Sequence, residues 1–468
     1  MKSNKLFIYG ITLVATLGGL LFGYDTAVIS GTTQSLDVFF IEPLGLEEAA
    51  ANSMKGFIIS SALIGCIIGG FIGGYMSKTF GRKRSLIFAA ILFFISALGS
   101  AMPEMLVRPI GEADHTFCTI FIIYRIIGGI GVGLASMISP MYISEIAPAE
   151  DRGKLVSLNQ FAIIFGMLIV YFVNYAIAKQ GDDTWLNQIG WRYMFGSEMI
   201  PAGLFLIALF FVPETPRYMI LQGNDTGALS VLKKINGERA NKILNEIKNT
   251  VEHHSGKILS YGIIIIIIGM LLSAFQQFVG INVVLYYAPD IFRKMGSGTD
   301  AALMQTIIVG IINLTFTVIA VMTVDRFGRK PLMIIGALGM AVSMIALGTS
   351  FFVEQVGIAS LIFMLTYTAS FAVSWGPVCW VLLAEIFPNK IRSQAMAIAV
   401  ATQWISNWLV SWTFPMMNDN TALTNTFHNG FAFWIYGIMG ALAAYFVWKY
   451  VPETKGKTLE EMENLWKK

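Results

Sequence analysis

Charge is scarce in this 468-residue chain: Lys, Arg, Asp and Glu make up only 13% of it, against 55% hydrophobic residues. A soluble domain of that length cannot clothe its surface with so few charges, so water is not its main solvent. Cysteine is sparse as well. Cys66, Cys118 and Cys379 lie in or beside apolar stretches, with neither metal-ligand spacing nor an even set for a disulfide framework, and they read as packing residues. The four histidines (His115, His253, His254, His428) fall in loops or at a span edge without a nucleophile or metal pattern, which leaves a membrane-embedded enzyme as a remote reading. A net charge of +3, with basic residues in short loops instead of one stripe, argues against a nucleic-acid partner.

What the chain has is apolar runs near the bilayer-crossing length of about 20 residues. Six begin close to Leu6, Met54, Leu86, Cys118, Leu155 and Tyr193, and six more near Ile258, Ala302, Leu332, Ile358, Ala395 and Asn429. The first run follows Lys2 and Lys5, outlasts a signal-peptide core and contains Asp25, so it reads as a retained span. Lys78, Arg82, Lys83, Arg84, Arg152, Lys154, Arg326, Arg329, Lys330, Lys390 and Arg392 crowd alternate loops, whereas Asp37, Glu42, Glu47, Glu48, Glu112 and Asp114 occupy loops of the other side. The positive-inside rule then puts both termini in the cytoplasm.

Between the sixth and seventh runs lies the one long polar segment, in which Ile243, Leu244, Ile247 and Val251 recur at helical spacing. Short amphipathic helices against the membrane ends are expected there, with a flexible linker as the alternative. The reading is an all-α membrane protein: a six-helix bundle over 1–215, a cytoplasmic helical linker over 216–256, a second bundle over 257–452 and a tail over 453–468. The halves repeat each other. Phe80-Gly81-Arg82-Lys83 returns as Phe327-Gly328-Arg329-Lys330, Glu145 to Arg152 as Glu385 to Arg392, and Pro213-Glu214-Thr215 as Pro452-Glu453-Thr454. A duplicated six-span unit places a substrate site between the halves near mid-membrane, exposed alternately by rocking.

An arginine at a tight Gly turn can latch neighbouring helix ends through several hydrogen bonds, and a carboxylate can lock the contact. Glu145, Arg152, Glu385 and Arg392 are expected to pair across the halves when the inner gate is shut; plain topogenic charge is the alternative. Inside the spans an ionisable residue costs roughly 2.5–3.5 kcal/mol on insertion scales. Asp25 in the first span and Arg125 in the fourth are the clearest cases. If they face each other, protonating Asp25 frees the two helices to shift, a proton switch; the alternative is a permanent structural ion pair.

Gln160, Gln276, Gln277, Asn282, Asn313 and Gln403 stand where hydrocarbon would be cheaper, and amides match the donor-and-acceptor character of sugar hydroxyls. Trp380 and Trp404 can cover the apolar face of a pyranose, and Phe22 shares a helical face with Asp25. Interhelical glue is the alternative for any one amide, and packing or anchoring for a tryptophan. Because Gln276, Gln277 and Asn282 cannot share one face of an ideal helix, the seventh span is expected to break near Gly280, with Tyr286 one turn beyond Asn282. Gly376-Pro377 predicts a hinge in the tenth span.

These residues carry a pattern. Through Phe80-Gly81-Arg82-Lys83, Asp325-Arg326-Phe327-Gly328-Arg329-Lys330, Pro213-Glu214-Thr215-Pro216-Arg217 and Pro452-Glu453-Thr454-Lys455-Gly456, the chain resembles the sugar porter family of the major facilitator superfamily along essentially its whole length. Within that family, Gly190-Trp191-Arg192-Tyr193-Met194-Phe195 and residues 275–289 look most like its proton-coupled xylose carriers. The resemblance implies twelve helices in two pseudo-symmetric bundles. It implies sugar contacts by Gln160, Gln276, Gln277, Asn282, Asn313, Trp380 and Gln403, with Phe22, Tyr286, Gly376 and Trp404 around them. It also implies that Asp25, modulated by Arg125, carries the coupling proton, and that Arg82, Glu145, Arg152, Asp325, Arg329, Glu385 and Arg392 form a cytoplasmic gate. Lys78 departs from the acid or amide usual at its position, so the first latch is expected to be weaker or differently paired. The expected activity is proton-coupled import of a monosaccharide, D-xylose first, across a bacterial inner membrane. The partners are sugar, proton and bilayer, no cofactor is expected, and the monomer is expected to suffice. A facilitator, a proton-coupled hexose importer and a non-transporting sensor are the alternatives.

Overall fold

The computed structural model describes residues 5–148, 151–251, 261–388 and 391–455, apart from the side chains of residues 249–251, 325 and 393. Every regular element among the described residues is helical. Eleven helical stretches are long and apolar enough to cross a membrane, among them Lys5–Gly31, Glu48–Phe80, Arg82–Ala101, His115–Ile146, Arg152–Ala178 and Asp183–Phe211 in the first half. The second half continues with Ile263–Lys294, Thr299–Val324, Arg329–Phe352, Ile358–Ile386 and Phe431–Tyr450. The helix Arg392–Asn418, expected from the run near Ala395, is as long as its neighbours at 27 residues but less apolar, because it carries Gln403, Asn407 and Ser411. It completes twelve spans.

The internal repeat is visible in the packing. In the first half the first span packs on the fifth, and the second and third pack on the fourth; in the second half the seventh packs on the eleventh, and the eighth and ninth on the tenth. The halves meet along two symmetry-related pairs, second with eleventh and fifth with eighth. Lipid tails are as apolar as leucine, so helix association in a bilayer depends on close backbone approach. Glycines supply it: a Cβ on Gly129 would lie 1.8 Å from the Ala62 carbonyl oxygen, and one on Gly23 1.8 Å from that of Ile163.

One face carries the described ends of the chain and the connection between the halves; we call it the terminal face and its opposite the far face. On the terminal face the linker forms Pro216–Leu221, Asp225–Asn236 and Ala240–Val251. The middle helix buries Ala228, Val231, Leu232 and Ile235, while Ile243, Leu244 and Ile247 of the third are half-buried. Over the described residues this segment is helical and amphipathic.

Candidate substrate and proton sites

Two interruptions shape the centre of the second half. The seventh span stops at Phe278 and restarts at Ile281, with Gly280 left-handed at φ +89°, as the amide spacing predicts. A side chain there would also collide, since its Cβ would sit 2.7 Å from the Tyr436 ring. Tyr367 caps the gap by donating its hydroxyl to the freed Val279 carbonyl at 2.7 Å. In the tenth span the break falls at Ser374, between Ile358–Val373 and Trp375–Ile386, and not at Gly376-Pro377. Pro377 thereby lies in the first turn of the new helix, where its missing N–H is one of the groups left unbonded anyway.

These breaks anchor three of the expected sugar amides, Gln276, Gln277 and Asn282. Gln276 donates to the Trp375 carbonyl at 2.9 Å, tying the seventh span to the tenth-span break beside Gly376. Asn282 donates to Gln277 Oε1 at 2.5 Å across the seventh-span break. Phe22 and Trp404 meet across the halves, ring centroids 5.5 Å apart. Gln276, Gln277, Tyr286, Asn313 and Trp404 are buried, whereas Phe22, Gln160, Asn282, Gly376, Trp380 and Gln403 are half-buried. Among the described residues the side chains of Gln160, Asn313, Trp380 and Gln403 make no hydrogen bond, and Gln276 Oε1 accepts none, so donors and acceptors remain for a polyhydroxylated ligand. A cavity of about 1260 Å³ lies elsewhere, under the far-face loops of the first half beside Phe39, Arg192 and Ser197, and no expected sugar residue lines it.

Asp25 and Arg125 do face each other. Arg125 Nη1 donates to Asp25 Oδ1 at 2.5 Å and Nη2 to the Asp25 carbonyl at 3.1 Å, with both side chains buried. The Phe195 ring lies 5.1 Å from the guanidinium. A third ionisable group completes the cluster and was missed in the sequence. The sixth span is interrupted between Gly196 and Met199, and Glu198 sits in that interruption, fully buried and within hydrogen-bonding reach of Asp25. Its signal was the same as Asp25's, a lone carboxylate in an apolar run. Asp25 Oδ2 and both Glu198 oxygens receive no donor from the described residues. Two bare carboxylates cannot bond each other, and one guanidinium balances only one of them. A single proton shared by the pair makes the cluster neutral and completes the bond.

Tyr286 leads from this cluster toward the sugar amides. It interacts electrostatically with Asp25 and Arg125, and its hydroxyl is in hydrogen-bonding reach of Asn407. Asn407 also accepts from Ser411 at 3.1 Å.

On the terminal face the repeated motifs pair within each half. Arg82 donates to Glu145 at 2.7 Å and to the Ser77 carbonyl at 3.2 Å, and Arg329 donates to Glu385 at 2.9 Å. Arg392 donates to the Phe387 carbonyl at 3.1 Å, and Arg152 is exposed. The expected cross-half pairs are therefore not those of this structure, whose halves are joined at the other face. The Asp325 side chain lies outside the described residues. Lys78 is exposed, so the first latch uses the Ser77 backbone beside it.

The third repeated motif has a role that repetition alone did not disclose. Glu214 accepts from the backbone N–H groups of Arg82 and Lys83, and Glu453 from those of Arg329 and Lys330, at 3.0–3.2 Å. Each carboxylate caps the helix that follows the Gly turn, where a negative charge complements the helix dipole. Burial raises Glu214 above the ordinary carboxylate value despite those bonds; in the less buried Glu453, burial also pushes upward, but four backbone N–H groups outweigh it and hold the group low.

At the far face the halves are bound together. Thr33 donates to Asp290 at 2.9 Å, Lys55 to Asp419 at 3.2 Å, Asn52 to the Asp419 carbonyl at 3.0 Å and Trp412 to the Ser53 carbonyl at 3.1 Å; Lys179 pairs with Asp300. Burial alone would lift the Asp419 carboxyl, but Lys55 and Lys294 outweigh it and keep it below its ordinary value.

A family model described as sugar (and other) transporter matches residues 11–466. The chain belongs to this family. Among relatives of this sugar transporter, the D-xylose-proton symporter of Escherichia coli strain K12 is 62% identical over 474 residues, covering 99% of this chain and 96% of the relative. The inward-open structure of the xylose transporter from E. coli superimposes with a TM-score of 0.90 at 60% identity, over 98% of this chain and 100% of that one. The proton:xylose symporter structure bound to 6-bromo-6-deoxy-D-glucose gives 0.84 at 61% identity, covering 99% of this chain and 100% of that one.

Proposed function

We propose that this transporter imports D-xylose together with a proton by alternating access. The terminal face is the cytoplasmic one, because Arg82, Lys83, Arg84, Arg152, Lys154, Arg326, Arg329 and Lys330 crowd its loops. The membrane is then the bacterial inner membrane, and one chain suffices, since the repeat supplies both halves of the site.

The observation that carries the reading is the cluster of two buried carboxylates on one guanidinium at the first, fourth and sixth spans. With the proton bound, the cluster is neutral and Arg125 is held less tightly. Without it, a buried excess negative charge draws Arg125 in. Protonation thus changes the electrostatic cost of moving the first and fourth spans, which is what a coupling site must do. The sugar is held between the halves by Gln160, Gln276, Gln277, Asn282, Asn313, Trp380 and Gln403, flanked by Phe22, Tyr286, Gly376 and Trp404. Tyr286, one turn beyond Asn282, joins the two sites. Arg82, Glu145, Arg152, Asp325, Arg329, Glu385 and Arg392 form the gate that closes the cytoplasmic side in the other half of the cycle.

In proteoliposomes, labelled xylose should accumulate above its external concentration when the outside is acidified. Simple equilibration would make the protein a facilitator, and glucose outcompeting xylose would make it a hexose carrier.

A further inference from the structure

The far-face closure contains a charge network that the coupling site does not use. Its centre is Lys55 of the second span, whose side chain is 15% exposed and lies 3.2 Å from both Asp37, after the first span, and Asp419, after the eleventh. Asp290 of the seventh span also faces it. Asp290 is bound by Thr33 and Arg293, and Asp419 by Lys294 at 2.6 Å and Asn418 at 3.0 Å. The set is balanced: three cations (Lys55, Arg293, Lys294) face three carboxylates (Asp37, Asp290, Asp419).

The balance also holds within each half. Lys55 and Asp37 belong to the first half and cancel; Arg293 and Lys294 cancel Asp290 and Asp419 in the second. If the halves part at this face, Lys55 keeps Asp37 and Asp419 keeps Lys294, so no charge is left alone. A buried ion pair that leaves an orphan on opening would be too costly to break in each turnover. A pair with a spare partner on either side opens at the cost of only the cross-half bonds.

We infer that Lys55 is the positioning residue of the outer gate, a cation that bridges Asp37 and Asp419 when the far face is shut and retreats to Asp37 when it opens. It touches neither sugar nor proton, and sets the balance between the two faces. The inference rests on the transport reading, but its test reads the far-face distance directly and so fails or stands apart from the identity of the sugar or ion.

The model makes opposite demands on the two partners. Lys55→Met leaves Asp37 and Asp419 facing each other in the shut state and favours opening. Asp37→Asn leaves Lys55 without a partner only when the gate is open, and so favours closure. The native cysteines are buried, so spin labels can be directed to Leu106→Cys and Ile358→Cys, exposed positions on the far-face ends of the two halves. Pulsed dipolar distances on the full chain in lipid nanodiscs, at a sugar concentration where both states are populated, report the open-to-shut ratio. Lys55→Met should raise it roughly tenfold, Asp37→Asn should lower it, and Lys55→Arg should restore the native ratio. No change with Lys55→Met, or a shift in the same direction with Asp37→Asn, would overturn the assignment. Should Lys55→Met fail to fold, Asp37→Asn alone decides: a rise or no change in the ratio contradicts it.

Discussion

At the scale of single residues, the proposed coupling site offers a proton two buried carboxylates. Asp25 holds the guanidinium of Arg125, and Glu198 stands beside it with no donor of its own. Removing either acid should leave a neutral cluster that needs no proton. We therefore expect Asp25→Asn and Glu198→Gln to retain sugar counterflow in proteoliposomes but to lose accumulation driven by a pH gradient by at least about tenfold. A variant of either residue that still concentrates sugar would exclude that residue from coupling. Asp25 and Arg125 were legible in the sequence because a charge in an apolar run is expensive and conspicuous. Glu198 carried the same mark, a lone carboxylate in an apolar run, and went unread. What the sequence did not contain is the helix interruption that turns its carboxylate toward Asp25.

Helix breaks are the informative elements. Gly280 is left-handed and lies against Tyr436, so one substitution tests both constraints. Gly280→Ala should cost about 1–3 kcal/mol from backbone strain alone, with the ring contact adding to it, and should lower the thermal midpoint in detergent together with sugar affinity. Unchanged binding in a stable variant would disconnect the break from the amide pair Gln277–Asn282. The seventh-span break was readable because three amides could not share a helical face. The tenth-span break was placed two residues late because proline was taken as the breaking residue, whereas here it is tolerated in a first turn. The capping by Glu214 and Glu453 was hidden for another reason: each reaches a helix start more than a hundred residues away in sequence.

For the whole molecule, the duplicated sequence is duplicated packing, and the apolar runs fell where spans are found. The eleventh span was marked in the sequence despite its polar residues, which are there because it packs against the second span and the seventh. The face that is closed was not legible, because both states use the same sequence and differ only in which cross-half contacts are made. In this structure the far face is shut by Lys55, Asp419 and their neighbours, while Arg82 and Arg329 hold carboxylates of their own half. A second arrangement, with the terminal face shut, must exist for transport, and the neutral halves of the far-face network allow it.

The central claim is that sugar entry carries a proton through the Asp25–Glu198 pair. The direct measurement is the pH of a weakly buffered suspension of de-energised cells expressing the protein, followed as xylose is added. Alkalinisation with the native chain, and none with Asp25→Asn at equal expression, is the predicted result. Xylose entry without any change in external pH would contradict it.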